Sequence, residues 1–256
     1  MSLDLSAEER IPILRMLTLA DYFTMWNGLL GFSSIVATSL GEYALAFSLL
    51  MVAVLMDGID GGVARLGYGG GRLGDKLDTL SDLVSFCVAP AFLFYASFAN
   101  KEFFPRVPVP AWLRPEAWGQ ATLIAVCVLY MLSGMLRLAR FDYLKGGERH
   151  DYFVGVTTPS AAVIVASVSV LSWDATPAII VLLAAAFLMI SRLRLPKVRH
   201  SLVVPSIAIL VSAAILGDRF NNAAPIALLV FSLAYLVFGP GYVRRREEEA
   251  LEAVVT

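Results

Sequence analysis

The sequence predicts an all-α fold, a polytopic membrane bundle of about eight transmembrane helices. Three observations lead there. Apolar residues make up 58% of the 256 and charged residues only 16%, against about 25% charged in a soluble domain. The mean hydropathy is +0.74. Apolar runs recur along the whole chain, several of them near the roughly 20 residues that cross a hydrocarbon core. One integral membrane domain over residues 1–256 is expected, without repeats or low-complexity tracts.

The elements follow in order. Residues 1–17 mix apolar side chains with Glu8, Glu9, Arg10 and Arg15 around Pro12, which suits either a segment lying along the interface or an ordinary flank. Four long spans are expected near Ala20 to Leu40, Tyr43 to Leu66, Asp75 to Ala99 and Trp118 to Arg140. Between the third and fourth, Pro105, Pro108, Pro110 and Pro115 alternate with Phe103, Phe104 and Trp112, a stiff loop whose aromatics suit the headgroup region. Four shorter spans are expected near Thr157 to Trp173, Pro177 to Leu193, Leu202 to Leu216 and Ala223 to Phe238. These last run to only about 15 to 17 residues each, below the usual span length, so a count of six to eight remains open. Residues 244–256 begin with Arg244, Arg245 and Arg246 and form a charged tail, placed in solvent or against anionic lipid.

Charge placement sets an orientation. With the N-terminus inside, every Lys and Arg except Lys101, Arg106, Arg114 and Arg219 falls on the cytoplasmic side, as short cytoplasmic loops require. Both termini are therefore expected to be cytoplasmic. Cys87 and Cys127 fall inside spans, where a lone thiol behaves as a small apolar residue. No secretory signal is evident at the start of the chain. His150 and His200 lack metal-ligand spacing, and neither a Ser-His-Asp arrangement nor a nucleic-acid-binding stripe is present.

The chemistry concentrates between residues 57 and 82. The segment reads Asp57-x-x-Asp60-Gly61-x-x-Ala64-Arg65, then eight residues, then Gly74-x-x-x-Asp78-x-x-x-Asp82, and it holds eight of the 19 glycines. A carboxylate at the centre of a spanning helix costs about 2.5 to 3.5 kcal/mol, so four cost on the order of 10. Divalent cations are the natural compensation, since hard cations take oxygen ligands and two of them can share carboxylates. On helices, Asp57 and Asp60 share one face and Asp78 and Asp82 another. Two such faces meeting at one depth would hold a pair of ions about 3.5 to 4 Å apart, the arrangement used for transfer at phosphorus.

The glycines and Arg65 extend that expectation. Gly61 and Gly74 allow close backbone approach to a bulky ligand, and the loop from Gly67 to Gly71 can present N–H groups to anionic oxygens. Arg65 offers a forked donor for a phosphate oxygen, or else anchors the cytoplasmic side. Gly58 and Gly62 are read equally well as small residues at a helix contact. Asp75 shares a face with Asp78 outside the spaced pattern.

The pattern from Asp57 to Asp82 resembles the signature of the CDP-alcohol phosphatidyltransferases at every defined position. That resemblance implies a six-helix membrane core, usually homodimeric, in which Mg²⁺ or Mn²⁺, two ions in all, assist an alcohol in displacing CMP from a CDP-linked lipid. It implies that Asp57, Asp60, Asp78 and Asp82 hold the metals and that Asp82 also takes the proton of the incoming hydroxyl. Gly61, Ala64 and Arg65 would face the nucleotide and its diphosphate, with Asp57 and Gly74 beside them. Asn27, in a polar patch with Asp21 and Thr24, resembles the family's contact to the cytidine from the first helix.

Ser81 to Ala91, Arg137 to Asp142 and Phe153 to Ala162 are similar to the serine-using branch of that family, although glycine more often stands at the position of Cys87 and Val156 to Thr158 depart from the pattern. Leu17 to Tyr22 look like its archaeal members. The branch implies a CDP-lipid donor, of diacylglycerol or archaeol, and L-serine as the small alcohol acceptor. An amino-acid acceptor needs a cation for its carboxylate, and Arg137, Arg140 and Lys145 cluster at the end of the fourth span, where they also suit snorkelling anchors. The alternatives are another acceptor such as glycerol 3-phosphate or inositol phosphate, a prenyl-diphosphate transferase, and a divalent-cation transport protein, since intramembrane acids are often ion sites.

Overall fold

A computed structural model describes residues 13–63, 72–99, 115–144, 152–171, 174–196 and 223–255. Within them the chain is a helical bundle. After a single 3₁₀ turn at Ile13–Arg15 come α1 (Leu19–Ser39), α2 (Tyr43–Val63) and α3 (Arg72–Asp82). A π-helical turn (Leu83–Val88) continues α3 into α4 (Ala89–Phe98), followed by α5 (Pro115–Leu144), α6 (Thr158–Val170), α7 (Ala175–Ile190) and α8 (Ala223–Val255).

Among the described residues, four helical stretches are long and apolar enough to cross a membrane: Tyr43–Val63, Leu73–Phe98, Gly119–Leu144 and Ala223–Arg245. α1 is also 21 residues long, but its inward face is polar, which lowers its mean apolarity. α6 and α7 have 13 and 16 residues. The all-α membrane bundle is as the sequence predicts. Eight spans exceed what the described residues contain, and the stretch Leu202 to Leu216 lies outside them, as do residues 1–12 of the N-terminal segment and the loop 100–114. α8 continues past its apolar part into the charged residues and runs to Val255, through Pro240.

The helices begin and end for local reasons. Thr18 and Asp21 form a capping box at the start of α1, with the Thr18 N–H donating to Asp21 Oδ2 at 2.6 Å. Gly41, at φ +82°, closes the α1–α2 hairpin, and the Glu42 N–H reaches back to the Ala37 carbonyl at 2.9 Å. A left-handed residue at that point favours glycine. Thr157 caps α6 ahead of Pro159, where the ring's missing N–H costs no helical bond.

α6 lies at the centre. Its residues from Ala161 to Ser169 are all buried, as befits a helix that is apolar all round. One side packs on Phe94, Phe98, Tyr130, Leu182 and Met189, the other on Phe47, Leu50 and Leu93. This explains how a 13-residue helix is stable in the bundle: it is walled by protein.

A short β ladder has no counterpart among the expected elements. Tyr152–Val154 and Arg194–Pro196 pair as antiparallel strands β1 and β2, with Phe153 opposite Leu195. Three residues are too few for an alternating pattern to show.

Candidate metal centre

The site is built from α1, α2 and α3. α1 inverts the soluble pattern: Asp21, Thr24, Asn27, Ser34 and Thr38 are buried, while Tyr22, Trp26, Leu29, Phe32 and Val36 are exposed. In lipid the outward face is the apolar one, and polar groups turn to the bundle interior. Glycines bring α1 onto the helix carrying the second acid pair. A Cβ at Gly28 would touch Ser81 at 3.1 Å, and one at Gly31 would fall 2.6 Å from the Ser85 Cα. The two backbones are therefore in close contact, as small residues permit.

That crossing joins three helices through polar contacts. Asn27 Nδ2 donates to Asp82 Oδ1 at 3.1 Å, and Ser85 Oγ donates to the Asn27 carbonyl at 2.8 Å. Thr24 Oγ1 donates to Asp60 Oδ2 at 2.8 Å. The Gly61 backbone lies close enough to interact with Asp60, and the Asp82 carboxyl with that of Asp57. One carboxylate oxygen from each of Asp57, Asp60 and Asp78 lies within 4.8 Å of the others.

The donor set fits a hard divalent cation. Oxygens around a Mg²⁺-sized ion at 2.0 to 2.1 Å stand about 2.9 Å apart as neighbours and about 4.1 Å when opposite, so the three carboxylates would draw together to share one. Asp82 stands outside that trio but adjoins it through Asp57.

The other expected residues are distributed as follows. Gly74 abuts the buried Asp21 carboxylate so closely that a Cβ would collide with it. Around Gly58 and Gly62 a Cβ would meet nothing within 4 Å, so packing among the described residues does not account for them. Arg137 is buried, with Nη1 at 3.4 Å from Thr158 Oγ1 and Nε without a partner among the described residues. Its charge is close enough to interact with Asp82 and Asp57. Arg140 is engaged elsewhere: its guanidinium donates to the carbonyls of Val154 at 2.8 Å, Met189 and Ile190 at 3.3 Å and Ser191 at 3.4 Å. Both arginines line a cavity of about 180 Å³ with Leu136 and Ile190. Lys76 of α3 pairs with Asp142 of α5 near the same end. Ala64, Arg65 and Lys145 lie outside the described residues.

Sequence reasoning missed the turn that carries Asp82. In Leu83–Val88 the helix widens to π geometry, the Ala89 N–H bonding the Val84 carbonyl five residues back. Pro90 follows at once. It has no N–H for the Phe86 carbonyl four residues back and its ring crowds that position. Tyr130 Oη of α5, fully buried, donates to the Phe86 carbonyl instead, at 2.9 Å. Pro90 inside an apolar run was the available signal.

The family model CDP-alcohol phosphatidyltransferase matches residues 17–237. The chain is 30% identical over 229 residues to a CDP-diacylglycerol–serine O-phosphatidyltransferase of Methanocaldococcus jannaschii, covering 89% of this chain and 94% of that protein. It is 33% identical over 192 residues to an archaetidylserine synthase of Methanothermobacter thermautotrophicus, covering 73% and 72%. It is also 30% identical over 210 residues to a CDP-diacylglycerol–serine O-phosphatidyltransferase of Mycobacterium leprae, covering 76% and 64%.

Proposed function

The chain belongs to the CDP-alcohol phosphatidyltransferase family, and from that premise we propose that it transfers a phosphatidyl-type group from a CDP-lipid to the hydroxyl of L-serine, releasing CMP. The names of its relatives support serine as acceptor. The single observation that carries the chemistry is the meeting of Asp57, Asp60 and Asp78 within 4.8 Å, with Asp82 alongside and the buried Arg137 near them.

In this reading the four aspartates hold two divalent ions, Mg²⁺ or Mn²⁺. When bound, these supply charge stabilisation for the diphosphate and the departing CMP oxygen. Asp82 accepts the serine hydroxyl proton as the new oxygen–phosphorus bond forms and the bond to CMP breaks. Asn27 orients Asp82 through Nδ2, and its Oδ1 is a buried acceptor without a partner among the described residues, which suits an amino group of the cytosine. Gly61 would leave room for the nucleotide and diphosphate, Gly74 admits the Asp21 carboxylate beside them, and Ala64 and Arg65 would complete that side.

Arg137 binds the serine carboxylate in this scheme. Its Nε is free to donate, and a forked guanidinium matches a carboxylate. The guanidinium borders an open cavity of about 180 Å³ shared with Leu136, Arg140 and Ile190. Arg140, which lines the same cavity, adds positive charge nearby, and Lys145 would add to it. We further propose that the site faces the cytoplasm and that the enzyme works as a homodimer in the cell membrane.

The test is direct. Purified protein is incubated with CDP-diacylglycerol or CDP-archaeol and, separately, serine, glycerol 3-phosphate or inositol phosphate, and the lipid product is weighed by mass spectrometry. A serine lipid alone supports the proposal; a product with another alcohol replaces serine. Divalent-cation uptake into liposomes without any CDP-lipid would argue for a transport protein instead.

A further inference from the structure

The π turn at Leu83–Val88 lies between the acids and the core. Upstream, Asp78 and Asp82 face α1 and α2; downstream, Leu93, Phe94 and Phe98 are fully buried. One inserted residue amounts to roughly 100° of rotation in a helix of 3.6 residues per turn. If the turn relaxed to α geometry while the downstream half stayed in the core, the acid pair would swing away from Asp57 and Asp60.

Two residues far from the reacting atoms hold that phase. Pro90 removes the N–H that an α-helical register would offer to the Phe86 carbonyl, and Tyr130 supplies a hydroxyl in its place. Ser85, inside the turn, bonds the Asn27 backbone, and Asn27 bonds Asp82. The chain of contacts runs from α5 through the turn to the site.

We propose that Tyr130 is a positioning residue: its hydroxyl, by donating to the carbonyl that Pro90 cannot serve in an α-helical register, fixes the π turn and thereby the rotation that presents Asp78 and Asp82 to the metal. The inference rests on the reading of the four aspartates as metal ligands. It differs from simple core stability in a way that can be measured. Tyr130→Phe orphans a buried carbonyl, which lowers both stability and metal affinity. Adding Pro90→Ala returns an N–H to that carbonyl, but in the α register, so stability recovers while the phase does not.

The experiment titrates Mn²⁺ against purified wild type, Y130F and the double variant Y130F/P90A, reading free Mn²⁺ by electron paramagnetic resonance alongside thermal unfolding. Mn²⁺ affinity about five- to tenfold below wild type in Y130F, the scale of one buried hydrogen bond, and still low in the double variant, supports the proposal. Should Y130F fail to fold, the double variant alone carries the reading. Wild-type affinity in any variant that folds, or affinity that recovers together with the unfolding temperature, overturns it. Failure of wild type itself to bind Mn²⁺ overturns the metal reading, and this inference with it.

Discussion

Asn27 Nδ2 and Asp82 Oδ1 stand 3.1 Å apart across the junction of α1 and α3, and both side chains are buried. The amide fixes one oxygen of the proposed base and leaves the other toward Asp57. Asn27→Ala removes a donor to a charged acceptor, an interaction of about 1.5 to 3 kcal/mol. Turnover with serine should fall by roughly 10- to 100-fold, that energy expressed as a rate. Steady-state kinetics would check this; a variant within twofold of wild type would remove Asn27 from the orientation of Asp82.

Gly74 and Gly31 are both closed to a side chain, for different reasons. At Gly74 a Cβ meets the Asp21 carboxylate; at Gly31 it meets the Ser85 Cα, which is backbone. Each alanine variant should lose about 1 to 3 kcal/mol through overpacking. Truncating the neighbour should restore G74A in the double variant D21S/G74A, because the obstacle is a side chain. The double variant G31A/S85G should stay destabilised, since the Cα remains. Thermal unfolding of the four proteins decides the matter.

The helices were legible because lipid imposes length and apolarity on each. α1, α2, α4, α5 and α8 start or end within a few residues of the apolar runs, and the breaks at Gly41 and Pro115 carry their own turn chemistry. The acid pairs were legible from spacing alone, since three- and four-residue intervals place Asp57 with Asp60 and Asp78 with Asp82. The rotation of the second pair against the core was not, because a π turn has no residue signature beyond Pro90. Nor was the carbonyl cluster around Arg140, which forms only when β1 and the end of α7 come together from 35 residues apart in sequence, Val154 to Met189.

Arg140 illustrates how a residue type suggests one role and its contacts another. Its N–H groups serve carbonyls at the end of α7 and in β1, and at Gly155, φ +76°, an added Cβ would stand only 2.9 Å from Nη2. Cations suit helix C-termini for this reason. Arg140→Gln should lower stability by about 1 to 3 kcal/mol in total, given that part of the cluster is open to solvent. For a chain of this size that is a fall of roughly 2 to 10 °C in the unfolding temperature. An unchanged unfolding temperature would show that the carbonyl contacts contribute nothing.

Arg137 provides the sharpest separation of roles, because two accounts of it predict opposite kinetics. If its guanidinium binds the serine carboxylate, Arg137→Gln should raise the KM for serine by about 30-fold or more, the lower end of the cost of breaking a buried charged pair. The KM for the CDP-lipid should then stay within twofold. Arg137→Lys should recover little, since an ammonium offers a point charge in place of a fork. If instead Arg137 only offsets the charges of Asp82 and Asp57, removing it makes the acid cluster more negative. Metal affinity should then rise, the CDP-lipid requirement should change, and serine should be unaffected. Measuring both KM values and the Mn²⁺ affinity of R137Q and R137K distinguishes the two, and an unchanged serine KM would end the assignment of Arg137 to the acceptor.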